Sequence, residues 1–260
     1  MDNVDICMAV FNGCEFLEKQ LNSIISNGHG FARLNFVVVD DSSDDKSVDL
    51  LRLFFKKHSN YANNIYQNPL NIGYVQNFAK AISLTNSCTI MLSDQDDIWP
   101  VNRIHFLNTA LDSSKRELVI GNFSVLETTD PKFHPSSHNL THKGMRRFRK
   151  VTLFDYIFSS IPLYGCCFAF KDSLKKYILP IPSIVDSHDR WIALISILRG
   201  SCFYSDTVVT VRGLHHANET RSLPLLSKGV SFSIKLISIF YALARVLYVD
   251  LSGYCNKFLD

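Results

Sequence analysis

Apolar runs alternate with helical stretches through residues 1–100 of this chain, and that alternation limits the folds open to it. Val4 to Val10 (broken at Asp5), Phe36 to Val39, Ile65 to Gln67 and the run from Thr89 into Asp94 read as strands. Between them lie Glu15–Ile25, Lys46–His58 and Tyr74–Leu84, where apolar residues such as Leu17, Leu21 and Ile24 recur at helical spacing. Strand and helix in strict alternation give a parallel sheet with helical crossovers. Ligands of such sheets bind at the carboxyl ends of the strands. Three of those ends are polar here: Phe11-Asn12-Gly13, Asp40-Asp41-Ser42-Ser43-Asp44 and Asp94-Gln95-Asp96-Asp97.

The last of these ends carries the most chemistry. Thr89 to Leu92 is apolar, Asp94, Asp96 and Asp97 follow, and Ile98-Trp99-Pro100 stops the strand. Carboxylates this close raise one another's pKa, so something must compensate them. One reading is a Mg²⁺-type cation bridging to substrate phosphates. The other is an acidic cap for the helix that starts near Val101. No G-x-G-x-x-G follows the first strand, and no G-x-x-x-x-G-K-[ST] occurs, so the common dinucleotide and P-loop motifs are absent.

Beyond Val101–Leu111, a helix by pattern, Leu118–Val125 reads as a fifth strand and 127–150 as a long polar loop. That loop ends in a basic cluster, Lys143, Arg146, Arg147, Arg149 and Lys150, which suits either solvent or contact with anionic lipid or a diphosphate. Leu153–Phe158 is helical, Gly165–Phe170 reads as a strand, and a helix begins at Ser187 or His188. Cys202–Val211 reads as the last strand. Ser227–Leu251 is the most hydrophobic long segment, but Lys235, Arg245 and Asp250 interrupt it. Its uncharged core falls short of the roughly 18–20 residues that span a bilayer, so it reads as an amphipathic helix.

A net charge of +3 is too small to argue for nucleic acid. The seven cysteines form no C-x-x-C pair and several lie in apolar runs, which fits reduced, packed thiols and a cytoplasmic protein. The acidic start, Met1-Asp2-Asn3-Val4-Asp5, lacks a signal peptide's pattern.

Taken together, Ala9-Val10-Phe11-Asn12-Gly13, Val38-Val39-Asp40-Asp41-Ser42-Ser43-Asp44, Asn71-Ile72-Gly73 with Asn77, Ser93-Asp94-Gln95-Asp96-Asp97-Ile98-Trp99, Gly165-Cys166 and His188-Asp189-Arg190-Trp191 resemble the family 2 glycosyltransferases. The Ser-Asp-Gln-Asp-Asp-Ile-Trp form is similar to the bacterial O-antigen and surface-polysaccharide subgroup, which includes rhamnosyl- and β-1,3-glucosyltransferases. The resemblance implies an α/β GT-A fold, a Rossmann-like, mostly parallel sheet flanked by helices. It would occupy residues 1–222, with 1–100 binding the nucleotide sugar and 101–222 the acceptor. The amphipathic stretch beyond it makes 223–260 a helical segment that either packs on the protein's own core or associates with membrane or a partner. A fold complete before residue 222 favours the second.

It also implies roles for individual residues. Ala9 and Phe11 would frame the base, and Asp40 or Asp41 would accept hydrogen bonds from uracil or ribose, with Asn71, Asn77, Asp94 and Gln95 also on the donor side. Asp96 would hold Mn²⁺ or Mg²⁺ at the diphosphate, and His215 would add a metal or diphosphate contact, with His216 as its rival. Here the sequence departs from the family's Tyr-Arg-x-His-x-x-Asn loop, because Arg212-Gly213 replaces Tyr-Arg. Asp189 would be the general base of an inverting displacement. Asp97, Trp99 and His188 would lie on the sugar or acceptor side, and Trp191 would be core or acceptor platform. The bland alternatives are a turn or N-cap carboxylate for Asp41 and simple helix N-terminal charge for Asp189.

The expected reaction moves a hexose, UDP-glucose first and dTDP-rhamnose next, to a polyprenyl-diphosphate-linked sugar at the cytoplasmic face of the inner membrane. Two rivals remain open at this point: a Mg²⁺-dependent aspartyl phosphatase using Asp94-Gln95-Asp96, and a non-catalytic sugar-nucleotide-binding protein.

Overall fold

The computed structural model describes residues 2–27, 32–126, 148–213 and 228–257. His215, His216, Asn218 and the Lys143–Arg147 part of the basic cluster lie outside the described residues. Among the described residues, eight strands form one sheet in the order β3-β2-β1-β4-β7-β5-β8-β6. In chain order these are β1 (Asp2–Val10), β2 (Ala32–Asp40), β3 (Ala62–Gln67), β4 (Thr89–Ser93), β5 (Leu118–Leu126), β6 (Phe148–Lys150), β7 (Phe168–Lys171) and β8 (Cys202–Gly213). β1 pairs parallel to both β2 and β4, and β2 parallel to β3. β7 runs antiparallel between β4 and β5, β8 is parallel to β5, and β6 is antiparallel to β8. The mixed, mostly parallel sheet is the expected α/β architecture.

Helices α1 (Cys14–Ile25), α2 (Ser47–Lys57) and α3 (Tyr74–Ser83) make the crossovers of the first half. α4 (Arg103–Leu111), α5 (Leu153–Phe158), α6 (Lys175–Ile178), α7 (His188–Leu198) and α8 (Lys228–Lys257) follow. Each amphipathic stripe is buried as its spacing demands: Leu17, Leu21 and Ile24 of α1 and Leu51 of α2 are fully inaccessible. The central strands are apolar on both faces, with Ile6, Met8, Ile90 and Leu92 all at 0% exposure, as a parallel sheet covered on both sides requires.

Two expectations change. The end of the long polar segment is strand β6, not loop, because Phe148 packs on Phe106 and the backbone pairs with β8. Gly165–Cys167 is a 3-10 turn that precedes β7, not part of a longer strand. The turn brings Gly165 against His188 and Asp189, where an extended run could not bend.

Asp5, the charge that interrupts β1, is fully buried and fully used. It accepts hydrogen bonds from Asn35 Nδ2 and Ser87 N at 2.8 Å, from Ser87 Oγ at 2.6 Å and from Asn86 N. One carboxylate thus ties the start of β1 to β2 and to the turn before β4. Asp5→Ala would strand several buried donors, so it should lower unfolding free energy by about 3 kcal/mol or more. Urea denaturation followed by circular dichroism checks this; a loss below about 1 kcal/mol would contradict it.

Candidate active site

The polar strand ends are laced to one another before any substrate is considered. Gln95 accepts from Phe11 N at 2.9 Å and donates to Phe11 O at 3.0 Å, clamping the end of β1 to the end of β4. A Cβ at Gly13 would lie 2.3 Å from Gln95 Oε1, so the clamp requires glycine there. The turn at Asn12, with φ of 48°, is pinned to the β2 loop: Asn12 N donates to Ser43 Oγ, Gly13 N to Ser47 Oγ and Cys14 N to Asp45. These bonds satisfy amides at the start of α1 that the helix itself leaves open.

Asp40 and Asp41 serve the same lacing. Asp40 is fully buried and accepts from Ser43 N and Ser43 Oγ. Asp41, 2% exposed, accepts from Asn68 Nδ2 at 2.7 Å and from Ile72 N and Gly73 N at 2.9 Å. Asn77 accepts from Asn68 and donates to Val39 O. Both aspartates therefore hold the loops at this edge of the sheet. Phe11 and Asn71 stand exposed at the rim and Ala9 is half-buried. Asn68, which the sequence reading does not single out, is the hub of this network, since Lys80 Nζ also donates to it.

The carboxylates after β4 meet beside the 3-10 turn. Ligand atoms of Asp94, Asp97 and Cys166 all lie within 4.8 Å of one another. Burial and then the charges of Asp96 and Asp189 push the Asp94 carboxyl up to about 7, against the pull of Arg212. Asp97 is held well above the usual carboxylate range by burial and by Asp94 and Asp96. Its Oδ2 is buried with no hydrogen-bond partner. Two arginines offset this charge. Arg103 is fully buried beneath the loop, donating to Leu92 O and Val209 O and lying 3.7 Å over the Trp99 ring. Arg212 lies 4.3 Å over the Tyr164 ring, its charge favoured by Asp97 and Asp94.

Asp189 sits in the first turn of α7, capped by Ser187. Its carboxylate accepts from Gly165 N at 3.2 Å and Arg190 N at 2.8 Å, so two amides fix its direction. His188 beside it is 5% exposed and stacks on Phe78 at 4.1 Å, with neither ring nitrogen hydrogen-bonded. Burial lowers its pKa and favours the neutral ring.

Two assignments need correction, and the choice left open for Trp191 closes. Trp99 is fully buried, its ring covered by Arg103, and does not reach an acceptor surface. Trp191 is 1% exposed and donates from Nε1 to Ile178 O at 2.9 Å, which makes it core. Asp97 is 3% exposed and its carboxylate lies with Asp94 and Cys166, so it is not a surface contact. Gly213 approaches Asp96 so closely that a Cβ would lie 2.7 Å from its carbonyl oxygen.

Residues 5–178 match the sequence profile of Glycosyl transferase family 2. The chain belongs to this family. Its curated relatives include the dTDP-rhamnosyl transferase RfbG of Shigella flexneri, 27% identical over 239 residues, 88% of this chain and 76% of that protein. Among solved structures, S. aureus TarS 1–349 in complex with UDP has a TM-score of 0.63 at 16% identity, covering 82% of this chain and 60% of that one. The mannosyltransferase PcManGT of Pyrobaculum calidifontis, in complex with GDP-Man and Mn²⁺, has a TM-score of 0.64 at 14% identity, covering 97% and 79%. The fold is the GT-A arrangement, and the glycosyltransferase's acidic loop lies at its centre.

The residues present suit a divalent cation. Asp94 and Asp97 offer hard carboxylate oxygens, one of them without a partner, and burial together with their mutual charge raises both pKa values. Both carboxyls are raised above the unfolded aspartate value of 3.8. Their protonated forms are thus favoured on folding, and that contribution is present near the unfolded value and lost as pH rises toward about 7, the folded Asp94 value. Metal-free protein should therefore melt lower at pH 8 than at pH 6, Asp97→Asn should flatten that slope, and Mn²⁺ should raise the wild-type Tm at pH 8 but scarcely that of Asp97→Asn. Differential scanning fluorimetry checks it; parallel pH profiles for the two proteins would contradict it.

Proposed function

We propose that this glycosyltransferase moves a hexose from a nucleotide sugar to a polyprenyl-diphosphate-linked saccharide in O-antigen assembly, at the cytoplasmic face of the inner membrane. The observation that carries the reading is the meeting of two differently held carboxylate groups. Asp94 and Asp97 are crowded and charge-deficient, while Asp189 is held by Gly165 N and Arg190 N close enough to Asp94 to raise its pKa. The first group suits a cation and diphosphate, the second a proton acceptor.

A bound Mn²⁺ or Mg²⁺ would be held by Asp96 with Asp94 or Asp97, supplying positive charge to the diphosphate leaving group. The chain's own residues would do the rest. Ala9 and Phe11 would frame the base at the end of β1, with Asn71 at the rim, on a floor that Asp40, Asp41, Asn77 and Gln95 hold in shape. Asp189 would take the proton of the acceptor hydroxyl as its oxygen attacks the anomeric carbon. The bond to the nucleoside diphosphate breaks on the opposite face, inverting the centre. His188, stacked on Phe78, would hold the start of α7 in place beside the acceptor. His215, two positions beyond Gly213, would reach the diphosphate.

For the donor, dTDP-rhamnose is the first reading, supported by the RfbG relationship across 88% of this chain. UDP-glucose, giving a β-1,3 linkage, is the second, supported by the UDP seen in TarS 1–349. A screen of both donors against a synthetic lipid-diphosphate sugar, with and without Mn²⁺, separates them. Asp189→Asn should cut transfer by about a thousandfold or more while leaving donor affinity within a few-fold. Transfer at the wild-type rate by Asp189→Asn would remove the base. Phosphate release without any acceptor would favour a phosphatase.

A further inference from the structure

Helix α8 packs Ile239, Ala242, Val246 and Val249 toward the core and leaves an equally apolar opposite side unpartnered. Lys235 Nζ donates to Ile157 O and Ser159 Oγ and Arg245 donates to Pro180 O, while Asp250, at the edge of the exposed side with its side chain 44% exposed, accepts from Tyr177 Oη at 2.6 Å. Ser238 and Ala242 are buried on the same side. From Leu236 to Leu251, by contrast, every exposed position carries Leu, Ile, Phe, Tyr or Ala. Phe240 is 74% exposed, Tyr248 69% and Leu251 64%. Because the inward polar contacts fix the rotation of the helix, the apolar side cannot turn away from solvent without breaking them.

The shape of this face says what covers it. At about 100° per residue the exposed positions spread over an arc of roughly 160°, along about 24 Å of helix. A pairing helix covers a seam narrower than this arc, and Asp250 is the one charge at its edge among the described side chains from Leu236 to Leu251. A bilayer surface covers a wide arc and asks for no register. The apolar surface also continues past α8. Lys235 joins α8 to the end of α5, where Phe154 and Phe158 stack on each other and are both 65% exposed. Two basic residues precede α5, Arg149, paired to Asp155 yet with its side chain 48% exposed, and the exposed Lys150, and such cations complement anionic headgroups. Among the described residues no helix is long and apolar enough to cross a membrane.

We propose that the outward side of α8, with Phe154 and Phe158 of α5, is a monotopic membrane-binding face that lies in the headgroup–acyl boundary of an anionic bilayer. The charged residues that anchor α8 to α5, α6 and α7 then fix the catalytic domain's orientation to the lipid. This suits the lipid-linked acceptor proposed above. Vesicle binding is read without donor or acceptor, so either reading can fail alone.

The test is co-sedimentation of the full chain with vesicles of phosphatidylethanolamine and phosphatidylglycerol, and with vesicles of phosphatidylcholine alone. Wild type should sediment with the anionic vesicles and more weakly with the neutral ones. Phe240→Glu/Leu247→Glu should weaken binding by at least about tenfold, since two carboxylates would enter the acyl boundary. Phe154→Ser/Phe158→Ser should weaken it by a smaller factor. Leu53→Glu, an equally exposed change on α2, should leave it intact. Circular dichroism and size-exclusion with light scattering accompany each variant. Unchanged sedimentation of Phe240→Glu/Leu247→Glu, or no sedimentation of wild type, would overturn the proposal. So would a wild-type dimer that the same variant splits, which would make a second copy of the chain the occupant.

Discussion

Three carboxylates within four positions repel one another, and the rest of the structure is arranged around keeping them together at the end of β4. Two are pushed toward their neutral forms by burial and by mutual charge. What holds them is cationic support from Arg103 below and Arg212 beside, and a backbone that cannot relax. Gln95, lying among the acids, turns to clamp Phe11 and so fixes the loop to the central strand. Ile98 pairs with Val211, closing the loop's other end onto β8. The loop is thus held from both sides with its charge uncompensated in part, a state that favours a cation and a diphosphate as partners.

Close approaches elsewhere follow from the same constraint. Gly13 makes room for Gln95, Gly165 for His188 and Gly213 for the Asp96 carbonyl. Each stands where a second element must come within contact of the acidic loop or of Asp189. The two halves of the sheet are joined there through β7, whose antiparallel course lets the 3-10 turn deliver Gly165 and Cys166 to the end of β4. The membrane-facing side of α8 belongs to a different part of the molecule, yet it is fixed as firmly, by Tyr177–Asp250 and Arg245–Pro180.

The fold was legible because apolar runs and helical stripes alternate without ambiguity through β4, and the polar strand ends lie on one edge. The site was legible only by residue type. An aspartate at a strand end reads alike whether it meets a ligand or a loop amide, so Asp40 and Asp41 look the same in sequence as Asp94. Trp99 and Trp191 neighbour acidic motifs, which suggested an acceptor surface, but local sequence carries no record of Arg103 folding over one and Ile178 closing on the other. Arg103 itself had a signal, the lone arginine of its helix, beside Ile104, Phe106 and Leu107. Cys166 was visible only as part of the Gly165-Cys166 piece, because a packed thiol and a thiol facing carboxylates share one sequence pattern. The polarity of α8 was half visible: the charges that interrupt it were plain, but which side they face depends on α5, α6 and α7.

The central claim is that Asp189 directs a single displacement at the anomeric carbon, with the acidic loop holding the leaving group opposite. The configuration of the product tests this most directly, read by NMR from the anomeric coupling of a sugar transferred to a synthetic lipid-diphosphate acceptor. A product of opposite configuration to the donor's is the outcome this geometry predicts. Retention of the donor's configuration would contradict it, because one base and one displacement cannot give it.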